Sequence, residues 1–233
     1  MISYIVATMW KYEPFVDFLK DLTDHYLIGE IIVIDNDPLN RPDSAVLHNS
    51  KIKILSTGQN IFVNPAWNWG VREAKFDKLA IANDDIIFDL RVFHKIYDYV
   101  IPQFGASGLS VLPNHMHNVD GAIRIKEWQP GYNTFGFAML MFYHKMSWTY
   151  IPEELSVYFG DNFIFDNSLW KGKKNHLICD IFYYSPYGQT GKSLPELTEF
   201  FRQEFEKEKL VYGKIIEANG YDPKLWCPEH FLN

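Results

Sequence analysis

Four short apolar runs constrain this chain more than any other feature. They are SYIVAT (residues 3–8), EIIVID (30–35), KIKILS (51–56) and KLAIAN (78–83). Runs of that length, rich in Ile, Val, Leu and Ala and bounded by polar residues, read as buried strands and not as helices. Between them lie segments of helical period. Pro14 opens FVDFLKDLTDHY, in which Phe15, Phe18, Leu19 and Leu22 recur at helical spacing. Asn64-Pro65 reads as an N-cap with proline at the first helical position, starting PAWNWGVREA, and Asp89 can cap RVFHKIYDYVI. Strands alternating with helices predict an open, mainly parallel α/β sheet.

In such a sheet ligands bind at the carboxyl ends of the strands. The runs end there on polar residues: Thr8, Asp35, and the trio Asn83, Asp84 and Asp85 in LAIANDDIIF. Burying adjacent carboxylates is costly unless something charged meets them. Two acids at a strand end form a hard oxygen site for Mg²⁺ or Mn²⁺, which takes one or two carboxylates and completes its shell with substrate phosphates. A nucleoside diphosphate would supply those oxygens.

The second half has a different rhythm. GASGLSVL, AIRIKEW and FGFAMLMFY read as strands of mixed direction, VYFGDNFIFDNSLW as a loop entering a helix, and HLICDIFYY as one further strand. From about Leu194 to Asn219 the chain is polar and helical, with Leu197, Phe200, Phe201, Phe205 and Leu210 expected on one face.

Composition removes several classes. Lys and Arg number 22 against 29 Asp and Glu, a net charge of −7, and no long basic run occurs. Nucleic-acid binding needs many phosphate-neutralising cations, so that partner is not expected. Cys179 and Cys227 cannot build a disulfide framework, and MISYIVATMWKYE lacks the basic leader and apolar core of a signal peptide. With no apolar run long enough to span a bilayer, the expectation is a cytoplasmic protein of undetermined oligomeric state.

The ordered series resembles the GT-A-fold glycosyltransferases, specifically the large inverting family two group, over about residues 1–190. SYIVATMWKYEPF looks like that family's opening strand and EIIVIDND like its second, while GQNIFVNPAWNWGVREAKFDKLAIANDD looks like the stretch from an Asn-rich loop to the DXD motif. The resemblance implies a GT-A domain over 1–190, with a nucleotide-binding half (1–100) and an acceptor-binding half (101–190), followed by a helical extension over 191–233. It implies nucleotide-sugar contacts from Thr8, Asp35, Asn60, Asn83, Asp84 and Asp85, with Asp85 as the ligand of Mn²⁺ or Mg²⁺. VYFGDNFIF is similar to the family's acidic motif, so Asp161 would be the base that deprotonates an acceptor hydroxyl, with Asp166 as the fallback. A nucleotide-sugar donor, UDP-linked by preference, and a glycan or other hydroxyl acceptor follow as partners, with Trp128 and Tyr132 as acceptor contacts.

The chain departs from the family pattern at three places. Asn83 stands where the first acid of DXD is usual, Ile61 replaces a glycine after the loop Asn, and Ser185 lies where a metal-binding histidine often falls. A catalytically inactive nucleotide-sugar or glycan-binding module of the same fold is therefore the alternative. A sugar-nucleotide pyrophosphorylase would need a Gly-rich basic loop after its first strand, and TMWKYEP has no glycine. His115 and His117 read as a surface loop, Trp67 and Trp69 as helix packing, and GQTGKS (188–193) fails as a phosphate loop because Pro186 stands where the motif needs glycine.

Overall fold

The structure is a computed structural model and describes residues 1–110, 122–128, 137–186 and 197–226. The first half alternates as the apolar runs predict: β1 (Ile2–Thr8), α1 (Pro14–Asp24), β2 (Ile28–Asp35), β3 (Ile52–Leu55), α2 (Val63–Glu73) and β4 (Lys78–Asn83). A two-residue strand β5 (Ile87–Phe88) and a short helix α3 (Val92–Ile96) follow. The second half contributes β6 (Phe104–Leu109), β7 (Arg124–Glu127), β8 (Leu140–His144), α4 (Gly160–Trp170), β9 (Lys174–Cys179), β10 (Tyr183–Tyr184), α5 (Thr198–Ala218) and α6 (Pro223–Trp226).

Among the described residues, eight strands form one sheet in the order β3-β2-β1-β4-β8-β6-β9-β7. Strands β1 to β4 are mutually parallel, β8 runs antiparallel between β4 and β6, and β7 closes the far edge antiparallel to β9. β5 pairs with β10 in a separate two-stranded ribbon.

Each face of the sheet carries its own apolar layer, which is why the central strands tolerate continuous apolar sequence. Tyr4 and Val6 of β1 face Phe15, Phe18, Leu19 and Phe93 of α1 and α3. Ile5, one residue over, faces Trp67 and Val71 of α2 and Phe163 and Phe165 of α4 on the opposite side. That alternation is the two-residue period of a strand. Gly70 lets α2 sit directly on the sheet, because a Cβ there would lie 2.3 Å from Cγ2 of Ile5.

Several local expectations are corrected. Asn64 is not an N-cap: α2 already begins at Val63, and the fully buried Asn64 side chain donates through Nδ2 to the backbone oxygens of Leu155 and Tyr158, each at 3.0 Å. Tertiary hydrogen bonding has overridden the local capping pattern. Asp89 does accept from the Arg91 backbone N–H at 2.9 Å, one residue ahead of α3. HLICDIFYY is two strands, broken where Asp180 takes a positive φ of 60°. The buried face of α5 is Glu208, Tyr212, Gly213 and Ile216, while Leu210 is 70% exposed. The apolar residues chosen from sequence span too wide an arc to share one face. The proposed boundary at 190/191 falls outside the described residues. Among the described residues, no helix is long and apolar enough to cross a membrane.

Candidate functional site

Strand register gathers the polar strand ends on one edge. Thr8 is paired with Asp35 across β1 and β2, and Ala7 with Asn83 across β1 and β4. Neighbouring strands are about 4.8 Å apart, so Asp35, Thr8 and Asn83 form a short polar row at the carboxyl edge. Asp84 and Asp85 continue from the end of β4.

Asp35 holds the β2 end of the row. Its carboxylate is fully covered, and Oδ1 accepts from the indole Nε1 of Trp10 at 2.8 Å and from the Asp37 backbone N–H at 3.1 Å. Oδ2 lies 3.0 Å from Nε of Arg41, an ion pair without hydrogen-bond geometry, so this buried oxygen keeps its accepting capacity. Arg41 is 39% exposed, so it can swing away and open Oδ2 to a ligand.

Thr8 sits in the row and bonds within it. Its hydroxyl donates to Oδ2 of Asp84 at 2.6 Å and accepts from the Trp10 backbone N–H at 2.8 Å. Thr8 therefore holds Asp84, and its own side chain is committed inside the site. Asp84 is half-buried as a residue, yet burial of its carboxyl dominates. Burial, opposed by the Thr8 hydrogen bond and reinforced by the charge of Asp85, pushes this carboxyl from 3.8 up to about 6. Asp85 is buried beside it. The Tyr12 phenol is pushed up by burial first, then by the charges of Tyr184 and Asp85. The β5–β10 ribbon pairs Tyr184 with Ile87, two residues beyond Asp85.

The loop between β3 and α2 completes this side. Asn60 accepts from the Phe62 backbone N–H at 2.8 Å, and its Nδ2 lies 3.8 Å from Sδ of Met9, tying the loop to the end of β1. Asp161 sits in the first turn of α4, where Oδ1 accepts from the Asn162 backbone N–H at 3.0 Å. Asn64 of α2 bonds the backbone of 155–158 just ahead of it, so the amino end of α4 lies at the same edge as the amino end of α2. A helix N-terminus favours an ionised carboxylate, which suits a proton acceptor. Asp166, the fallback base, is buried and accepts a short hydrogen bond from the Tyr212 hydroxyl.

Trp128 lies elsewhere. Its backbone N–H donates to the Asn175 oxygen, beside the first residues of β9, and its side chain is buried in the core layer with Leu177 and Phe165. That is the amino end of the parallel strands, opposite the polar row. Tyr132, His115, His117 and GQTGKS lie outside the described residues.

Sequence reasoning missed the backbone outliers. The non-glycine residues with positive φ among those described are Trp10 (61°), Phe62 (64°), Phe159 (58°) and Asp180 (60°). Trp10 and Asp180 follow β1 and β9, and Phe62 and Phe159 precede α2 and α4. All four therefore sit on loops of the carboxyl edge. Strain of this kind costs about 1–3 kcal/mol per residue and collects where function requires it. No short motif marks these positions.

For a divalent metal, the donor chemistry fits in part. Asp84 and Asp85 present hard oxygens, and a dication between them would offset the burial and, after it, the Asp85 charge that raise Asp84. No group of three or more His, Cys, Asp or Glu suited to a metal occurs among the described residues. The rest of such a shell would have to come from phosphate.

This architecture is the GT-A fold. The chain superimposes on Staphylococcus aureus TarS 1–349 with a TM-score of 0.54 at 14% identity, covering 88% of this chain and 65% of that one. It superimposes on GalNAc-T7 crystallised with UDP, GalNAc and Mn²⁺ (TM-score 0.55, 12% identity, 81% of this chain and 44% of that one). A third match is the mannosyltransferase PcManGT from Pyrobaculum calidifontis in complex with GDP-Man and Mn²⁺ (TM-score 0.54, 13% identity, 98% and 67%). The chain thus spans less than two thirds of the TarS and GalNAc-T7 chains. No protein-family model matches the sequence, and no curated protein matches it.

Proposed function

We propose that this protein is a glycosyltransferase, moving a sugar from a nucleoside-diphosphate donor to an acceptor hydroxyl with inversion. The observation that carries the reading is the polar row at the carboxyl edge: Asp35 with an accepting oxygen held in reserve, and the Asp84–Asp85 pair set beside it by Thr8. Asp35 would receive the base or ribose, Asn60 and Asn83 would flank the nucleoside, and Asp84 and Asp85 would lie along ribose and diphosphate. Asp85 would hold Mn²⁺ or Mg²⁺ in this reading, and the metal when bound would neutralise charge on the leaving diphosphate.

Asp161 is the proton acceptor in this reading. A sugar hydroxyl is a weak nucleophile, and a carboxylate within reach removes its proton as the new bond to the anomeric carbon forms and the bond to diphosphate breaks. One base and one displacement give inversion. Neighbours of this fold carry UDP or GDP-Man in their complexes. We favour UDP from the resemblance to the inverting family two group. Asn83 in place of the first acid of DXD and Ser185 in place of a histidine favour a second reading, a nucleotide-sugar or glycan-binding module of the same fold without turnover.

Thermal unfolding with UDP, GDP, CDP and dTDP, each with and without Mn²⁺, tests the site. A nucleotide at a hundred times its Kd adds about 2.7 kcal/mol, or a rise of about 5–10 °C for a domain of this size. A shift with one diphosphate, enlarged by Mn²⁺ and lost in Asp85→Ala, is expected. No shift with any of the four sinks the donor site. Asp161→Asn then separates enzyme from module, since only an enzyme has turnover to lose while keeping donor binding.

A further inference from the structure

Helix α5 enters the core with a carboxylate. Glu208 is 0% exposed, an expensive placement for a charged side chain unless it is fully met. Every partner comes from one three-residue stretch. Oε1 accepts from the Ser156 N–H (2.9 Å), the Ser156 hydroxyl (2.8 Å) and the Val157 N–H (3.0 Å). Oε2 accepts from the Val157 N–H (3.2 Å) and the Tyr158 N–H (2.7 Å). Consecutive N–H groups converging on one carboxylate form a concave anion-binding turn.

The opposite side of the same stretch is also held. Asn64 donates to the carbonyls of Leu155 and Tyr158, so the backbone of 155–158 is gripped through its oxygens from α2 and through its N–H groups from α5. One turn along α5, Tyr212 stacks on Phe159 with ring centroids 5.2 Å apart and donates its hydroxyl to Asp166 inside α4. Phe159 is the positive-φ residue from which the chain turns into Gly160 and Asp161. Gly160 is required there, since a Cβ would lie 2.0 Å from Oδ1 of Asn64. Backbone geometry so constrained leaves the first turn of α4 little freedom.

We propose that Glu208 is a positioning residue for the reaction: by clamping 156–158 it fixes the turn at Phe159 and thereby aims the Asp161 carboxylate at the acceptor hydroxyl. This rests on the reading of Asp161 as the base. Helix α5 is then part of the catalytic apparatus, although Glu208 itself touches no reacting atom. Proton transfer needs heavy atoms within hydrogen-bond reach, so a loosened turn lowers the rate without weakening the donor row, which lies on β1, β2 and β4.

Glu208→Gln in the full chain tests this, because the amide must point a donor at N–H groups that are themselves donors. Three readouts are compared with Asp161→Asn: nucleotide release from UDP-GlcNAc and GDP-mannose with Mn²⁺, the Kd of UDP and GDP, and hydrogen exchange at residues 156–161. Glu208→Gln should slow release tenfold or more, keep Kd within twofold, and speed exchange at 156–161 while leaving β1 and β4 protected. Ser156→Ala, which removes one of the five bonds and serves if Glu208→Gln does not fold, should shift the same readouts less. Wild-type release and unchanged exchange in Glu208→Gln, with Asp161→Asn inactive, overturn the Glu208 assignment alone. Full release by Asp161→Asn overturns the base reading, and the positioning role with it. Should neither donor turn over, unchanged protection at 156–161 in Glu208→Gln overturns the clamp.

Discussion

Asn64→Asp separates a local reading of the sequence from the tertiary one. As a helix N-cap, Asn64 would accept this change at almost no cost, because Asp and Asn cap about equally well. In the structure the side chain is a donor. Its Nδ2 satisfies two buried carbonyls, of Leu155 and Tyr158, at 3.0 Å each, in a residue 1% exposed. Aspartate would turn a carboxylate oxygen, in place of Nδ2, toward both carbonyl oxygens. Losing two hydrogen bonds removes about 2 kcal/mol, and leaving a buried carboxylate unpaired raises the total to about 3–5 kcal/mol. At about 2–4 °C per kcal/mol for a chain of this length, Tm at pH 7 should fall by about 6–20 °C. Urea unfolding at pH 7 gives the free energy directly. At pH 4.5 the deficit should shrink, since the introduced carboxyl, once protonated, donates to one carbonyl. Asn64→Ala should cost about 2–3 kcal/mol with no such pH dependence. Stability of Asn64→Asp within about 0.5 kcal/mol of wild type would refute the anchoring role and restore the cap.

In EDTA, the raised carboxyl of Asp84 makes the folded state bind its proton more tightly than the unfolded state. Its stabilisation is therefore full below pH 3.8 and lost as pH rises through about 6. That range corresponds to no more than about 3 kcal/mol, and Asp84→Asn should flatten the slope, a result denaturation across pH 4–7 would check. Gly70→Ala forces a methyl into Ile5 and should cost about 1–3 kcal/mol by lifting α2 from the sheet, read as a lower urea midpoint. On α5, Ile216→Ala should cost about 2–5 kcal/mol and Leu210→Glu less than about 0.5, by thermal unfolding; the reverse order would mean the helix is rotated. Arg41→Ala uncovers Oδ2 of Asp35 and should change the UDP Kd measured by titration, while leaving Tm within about 2 °C because the pair is partly exposed.

The sequence by itself determined the frame of this protein. Ile31 to Ile34 and Leu79 to Ala82 are apolar at every position, which only a strand covered on both faces accepts, and the helical spacing between such runs leaves a parallel α/β sheet as the economical solution. Asp35 and Asp84–Asp85 stood out in the sequence for the same reason, because carboxylates that end buried runs must be answered by something charged. Where those signals were purely local they misled. Asn64 has the pattern of a cap and the contacts of a long-range anchor, since Leu155 and Tyr158 lie about ninety residues away. Thr8 reads as a strand-end ligand contact, and nothing in its neighbours shows that its hydroxyl donates to Asp84, seventy-six residues on. Leu210 looks apolar enough to be inside and is turned to solvent, while Glu208, two residues earlier and charged, is fully buried. Only the tertiary structure could decide that, because the three N–H groups that make a buried carboxylate tolerable come from a turn fifty residues upstream. Strand and helix periods are written in neighbouring residues; the partners of a buried polar group are chosen by the fold.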